Sequence, residues 1–101
     1  MFKKFKNIYC EMISQNPNEV KDLDELSKDL EKIRLAIVGE LDAINLYEQM
    51  AKTTTNKKIA RVMMDIAGEE KVHVGELQTL LDEFDITNKE KRKEGKKEVS
   101  G

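Results

Sequence analysis

The sequence predicts an all-α protein built on one antiparallel helical hairpin, and three observations predict it. The 101 residues are 39% hydrophobic and 38% charged, with one Pro and no Trp, as in a single soluble domain of amphipathic helices. Apolar residues recur in steps of three and four on both sides of a polar break. They run Ile33, Ile37, Ile44, Tyr47, Ala51 before it and Ile59, Met63, Ile66, Leu77, Leu80, Phe84 after it. The break itself, Lys52–Asn56, is so short that the second helix must return antiparallel to the first.

Taken in order, residues 1–20 form an N-terminal extension. Phe2, Phe5, Tyr9, Met12 and Ile13 stand at helical spacing with lysines between them, the pattern of a short amphipathic helix that covers a core edge or a partner subunit; contact with a membrane surface and a mobile terminus are the alternatives. Asn16–Pro17–Asn18 ends that pattern. Residues 21–86 are the hairpin. Its first helix is expected to start near Asp22–Asp24, where Asp22 and Glu25 have capping-box form, and to run to about Lys52. Thr53–Asn56 offers an N-cap for a second helix from about Asn56 to Phe84. Residues 87–101 are a charged tail that fits either a short helix capped at Thr87 or Asn88 or a solvated segment.

The net charge of −2 hides an asymmetry. Residues 1–10 carry three Lys and no acid, and residues 88–101 carry six Lys/Arg against three Glu, so residues 11–87 hold a net −8. An acidic body attracts cations, although most such groups serve only as a solvated surface. Nothing marks a nucleic-acid surface. No apolar run approaches the ~20 residues of a membrane span, and no apolar core follows the positive start MFKKFK to make a secretory signal. The single Cys10 excludes an internal disulfide or a CxxC metal site, in keeping with a reducing, cytoplasmic setting.

The chemistry lies in three slots that break the apolar rhythm. Glu40 sits between Ile37 and Ile44, and Glu70 and His73, the chain's one histidine, sit between Ile66 and Leu77. Glu40 and Glu70 are each fifteen residues from Thr55, roughly 22 Å along their helices, so antiparallel packing brings them to one height. His73 follows one turn beyond Glu70 on the same face. Uncompensated charge in an apolar seam is costly. A bound cation removes that cost, and oxygen and imidazole donors suit iron, manganese or zinc. A polar layer that merely fixes helix register is the competing explanation. A Glu-x-x-His pair alone is weak evidence; the mirrored Glu40 makes the metal site the stronger reading.

One hairpin supplies half of what a bundle-core dinuclear site uses, namely four carboxylates and two histidines with two Glu-x-x-His pairs. Two copies about a twofold axis would supply the rest, which predicts a homodimer that closes a four-helix bundle around the metals. Tyr47, two turns from Glu40, is either core filler or a residue beside the centre. Asp42, Glu69 and Glu76 flank the ligands, and ordinary surface charge is the simpler reading of each. Gly39, Gly68 and Gly75 lie inside helices at a cost of about 1 kcal/mol each relative to Ala, and close helix approach would account for them.

The stretches IRLAIVGELDAINLYEQMA (33–51) and DIAGEEKVHVGEL (65–77) resemble the encapsulated ferritin-like proteins, half-length members of the ferritin and rubrerythrin superfamily. The similarity covers about half the chain. The resemblance implies a two-helix subunit, often with a third short helix, that dimerises into a ferritin-like four-helix bundle and then into a ring such as a decamer. It implies a ferroxidase that oxidises Fe(II) to Fe(III) with dioxygen or peroxide at a di-iron centre between two subunits. The iron would be stored in a cytoplasmic encapsulin nanocompartment whose shell protein is fused or separate. By position, Glu40, Glu70 and His73 match the iron ligands and Tyr47 the aromatic residue beside them. Two features depart from the family. Gly39 stands where some relatives carry an acid for metal access, although Asp42 keeps the other, and the ending GKKEVSG lacks a shell-targeting motif. Rubrerythrin-like peroxide reduction and a non-catalytic, metal-stapled helical oligomer are the alternatives.

Overall fold

The computed structural model describes residues 24–101; the N-terminal extension, Cys10 and Asp22 lie outside the described residues. Three helices and no strand make up the described chain: α1 (Glu25–Thr53), α2 (Lys57–Phe84) and α3 (Ile86–Ser100). The all-α hairpin is as predicted. α1 packs along α2, and α3 leans on the end of α2.

Short polar side chains set each boundary. Asp24 is the N-cap of α1 and accepts from the Ser27 N–H at 2.7 Å, which ties up a donor the first turn cannot satisfy internally. The cap is therefore Asp24, whose carboxylate stands three residues before that N–H. Asn56 caps α2 by accepting from the Lys58 and Ile59 N–H groups at 3.0 and 3.1 Å. Thr54 terminates α1, and its hydroxyl accepts from the Asn56 N–H at 3.2 Å. The turn is thus three residues, Thr54–Asn56, closed by the bond from the Asn56 N–H to the Thr54 hydroxyl.

The tail from Ile86 is helical. Its cap is Asp85, not Thr87 or Asn88, and Asp85 serves two helices. Its N–H donates to the Leu81 carbonyl to close α2, and its side chain accepts from the Asn88 N–H to open α3. α3 buries no residue. Polar contacts hold it, with Arg92 paired to Asp82 at 2.8 Å and the Asn88 amide donating to the other oxygen of Asp82 at 3.0 Å.

The interior is thin. Ala67 and Leu81 are the buried apolar residues among those described, and neither belongs to the apolar series read from the sequence. Ile59, Leu80 and Phe84 of that series are exposed, as are Val62 and Val72 nearby. The periodicity on α2 therefore marks a face turned between α1 and solvent. One neighbouring helix, α1, covers only part of it, as expected where a hairpin buries too little surface to stand alone. Among the described residues no helix is long and apolar enough to cross a membrane. Gly68 and Gly75 face open space, with nothing among the described residues within 4 Å of a Cβ at either. Close helix approach does not explain them.

Candidate metal centre

The structure brings Glu40, Glu70 and His73 together: one donor atom from each lies within 4.8 Å of the others. His73 Nδ1 faces both carboxylates, at 3.3 Å from Glu70 Oε2 and 3.5 Å from Glu40 Oε2. Counting from the turn pairs Glu40 with Glu70. Side chains on a helix also tilt towards its N-terminus. Glu40 thus leans away from the turn while His73 leans towards it, which closes the remaining step.

The cluster sits on the edge of the hairpin and not deep in its seam. The side chains of Glu70, Glu40 and His73 are 19%, 26% and 48% exposed. Its polar atoms are unequally served. Among the described residues Glu40 Oε2 is fully buried and has no hydrogen-bond partner; the His73 imidazole stands 3.5 Å from it. A buried acceptor left unmatched costs about 1–3 kcal/mol, and each instance in a folded protein requires an explanation. A cation held by the three donors supplies one. Two anionic oxygens and an imidazole suit a first-row divalent ion.

The other residues marked in the sequence divide. Tyr47 is half-buried on α1. Glu69 and Glu76 are exposed, in keeping with surface charge. Asp42 is not surface charge: it is 7% exposed. It lies about 200° round α1 from Glu40, so it does not belong to the cluster. Two cross-helix ion pairs escaped the sequence reading. Lys71 meets Glu48 at 2.9 Å, and Arg34 meets Asp85 at 3.1 Å. The Lys71 ammonium, through its hydrogen bond and its charge, holds the Glu48 carboxyl below its ordinary value of 4.5. Opposite charges at matching spacing on the two helices were the available signal.

An antiparallel pair of helices with an inward Glu on one and a Glu-x-x-His on the other defines half of a ferritin-like bundle. Comparison with known proteins agrees with this class. The Rubrerythrin family matches residues 31–100, and the chain belongs to this family of ferritin-like proteins. It is 42% identical over 90 residues to the ferritin-like-encapsulin shell fusion protein of Pyrococcus furiosus, a match covering 87% of this chain and 26% of that one. It is 38% identical over 60 residues to the encapsulin nanocompartment cargo protein EncB of Myxococcus xanthus, covering 59% of this chain and 35% of that one. The chain thus spans about a quarter to a third of these relatives' length. Its fold is similar to the crystal structure of the encapsulated ferritin domain from Pyrococcus furiosus. That match has a TM-score of 0.74 and 43% identity over 76% of this chain and 79% of the other.

Proposed function

We propose that two copies of this chain pair across the His73 edge and oxidise Fe(II) to Fe(III) at a di-iron centre they share, supporting iron storage in an encapsulin nanocompartment. The observation that carries the reading is the buried, unpartnered Glu40 Oε2 beside Glu70 and His73. One chain offers two carboxylates and one imidazole. The pair offers four and two, enough charge to neutralise two ferrous ions. Glu40, Glu70 and His73 are the proposed ligands, Tyr47 flanks them, and bound iron supplies the electrons that pass to dioxygen or peroxide. Mn(II) and Zn(II) fit the same donors.

The exposed apolar residues support the dimer. Val62, Leu80 and Phe84 stand on the side of α2 that carries His73, so a second copy covering them also covers the cluster. The shell partner and the compartment rest on the names of the relatives, one fused to a shell and one a cargo. Whether the shell partner of this chain is fused or separate is read by co-purification with a co-expressed shell protein.

Two measurements test the reading. Sedimentation with and without Fe(II) should show association driven by the metal, whereas a persistent monomer at high concentration with iron opposes it. Anaerobic loading with Fe(II) followed by exposure to air should give oxidation faster than buffer, and a folded Glu70→Ala should lose the excess rate. Binding with no excess rate would leave the metal-stapled oligomer.

A further inference from the structure

The two cross-helix ion pairs have matching positions. Arg34 and Glu48 are fourteen residues apart on α1, and their partners are likewise fourteen apart, Lys71 on α2 and Asp85 at its C-cap. Fourteen residues are about 3.9 turns and about 21 Å, so both pairs fall on one edge of the hairpin as two rungs with the same register. The ligands lie elsewhere on the helix circumference: Glu40 is about 80° round α1 from Glu48, and His73 about 200° round α2 from Lys71. The rungs therefore stand apart from the metal cluster and touch none of its atoms.

We infer that Glu48–Lys71 and Arg34–Asp85 form a register clamp that positions Glu40 against Glu70 and His73. The inference rests on the cluster being a metal site. Three features carry it. The apolar interior is too slight to fix the sliding of one helix on the other, since Ala67 and Leu81 alone are buried in it among the described residues. The turn at Thr54–Asn56 fixes the helices at one end only, roughly 22 Å from the cluster. A slip of α2 by one turn would break both rungs together, and it would also carry Glu70 and His73 past Glu40. Lys71 is adjacent in sequence to Glu70, so the rung nearest the site acts on the backbone that bears a ligand. These four are positioning residues, because none reaches the place where an ion would sit.

Co(II) is a suitable probe because its visible spectrum reports ligand geometry and its binding needs no oxidation. In the full-length chain, Glu48→Gln, Lys71→Met and Arg34→Met should each weaken Co(II) binding about two- to fivefold, the worth of one partly exposed ion pair. Each should also alter the visible band, while circular dichroism stays helical and the metal-free melting temperature shifts little. The sign separates a clamp from simple charge. Lys71→Met and Arg34→Met remove positive charge and would tighten cation binding if electrostatics alone acted. The exchanged pair Glu48→Lys with Lys71→Glu should restore both affinity and spectrum. Wild-type binding together with Lys71→Met and Arg34→Met variants that bind as tightly or tighter would overturn the clamp alone. Absence of Co(II) binding by the wild type would overturn the metal reading and the clamp with it.

Discussion

Glu40→Met should stabilise the metal-free chain and abolish its stabilisation by metal. The wild type holds a fully buried Oε2 with no hydrogen-bond partner among the described residues, and an unmatched buried acceptor costs about 1–3 kcal/mol. The side chain as a whole is 26% exposed, so part of the carboxylate keeps its hydration and the lower end applies. Methionine fills similar volume with no polar atom, so the metal-free variant should gain about 1 kcal/mol. In a chain of this size that is about 4–8 °C in melting temperature. With metal at a hundred times its dissociation constant, the wild type gains about 2.7 kcal/mol, whereas the variant, short of one of its three ligands, gains little. The order of stability therefore reverses on adding metal. Urea unfolding followed by circular dichroism measures this, with and without Co(II) at one fixed protein concentration, since association makes stability depend on concentration. A Glu40→Met chain less stable than wild type without metal would refute the cost assigned to the orphaned oxygen. An undiminished gain on adding Co(II) would refute its role as a ligand.

Other expectations are simpler. Asn56→Ala removes the acceptor for two N–H groups of α2 and should cost about 1–2 kcal/mol in urea unfolding. Leu80→Glu puts a charge on the exposed apolar strip beside His73; it should leave the helical spectrum intact yet hold the chain monomeric in sedimentation with Co(II). Lys71→Met should let the Glu48 carboxyl rise towards its ordinary value, read as a shifted carboxyl midpoint by NMR. The Glu48 carboxyl is depressed in the folded chain. The stability contributed by its pair with Lys71 is therefore present above the unfolded value and lost as pH falls through the folded one, and the variant should lack that acid-side loss. Gly75→Ala fills open space on an exposed helix surface and should raise stability by about 0.5–1 kcal/mol; a loss instead would show that another copy packs there.

Local chemistry made the hairpin legible. A three-and-four rhythm on both sides of a short polar cluster leaves little choice of topology, and Asn56 was within the cluster expected to cap α2. The ends were harder to assign, because several short polar residues compete for each cap. Asp22 and Asp24 stand two residues apart in the sequence, and the spacing alone does not say that Asp24 is the cap. At the other end Asp85 was overlooked in favour of Thr87 and Asn88, since a residue that closes one helix while opening the next has no separate sequence signature. Asp42 illustrates a different limit. An acid flanked by ordinary helix residues reads as surface, and its burial depends on what packs there and not on its own spacing.

The meeting of Glu40, Glu70 and His73 was legible for a reason that also hid its setting. Glu40, Glu70 and His73 interrupt an apolar rhythm, and periodicity records only that a face avoids water, not which chain covers it. On α2 the rhythm runs through Ile59, Leu80 and Phe84, all exposed in the single chain, while Ala67 and Leu81 fill the interior one step round the helix. A face that is apolar in sequence yet exposed in the fold, with carboxylate and imidazole donors along it and one acceptor unmatched among the described residues, is what the proposed shared site would require. The same offset explains the 48% exposure of His73. An imidazole deep between α1 and α2 would serve one chain, whereas one on the edge can be shared by two.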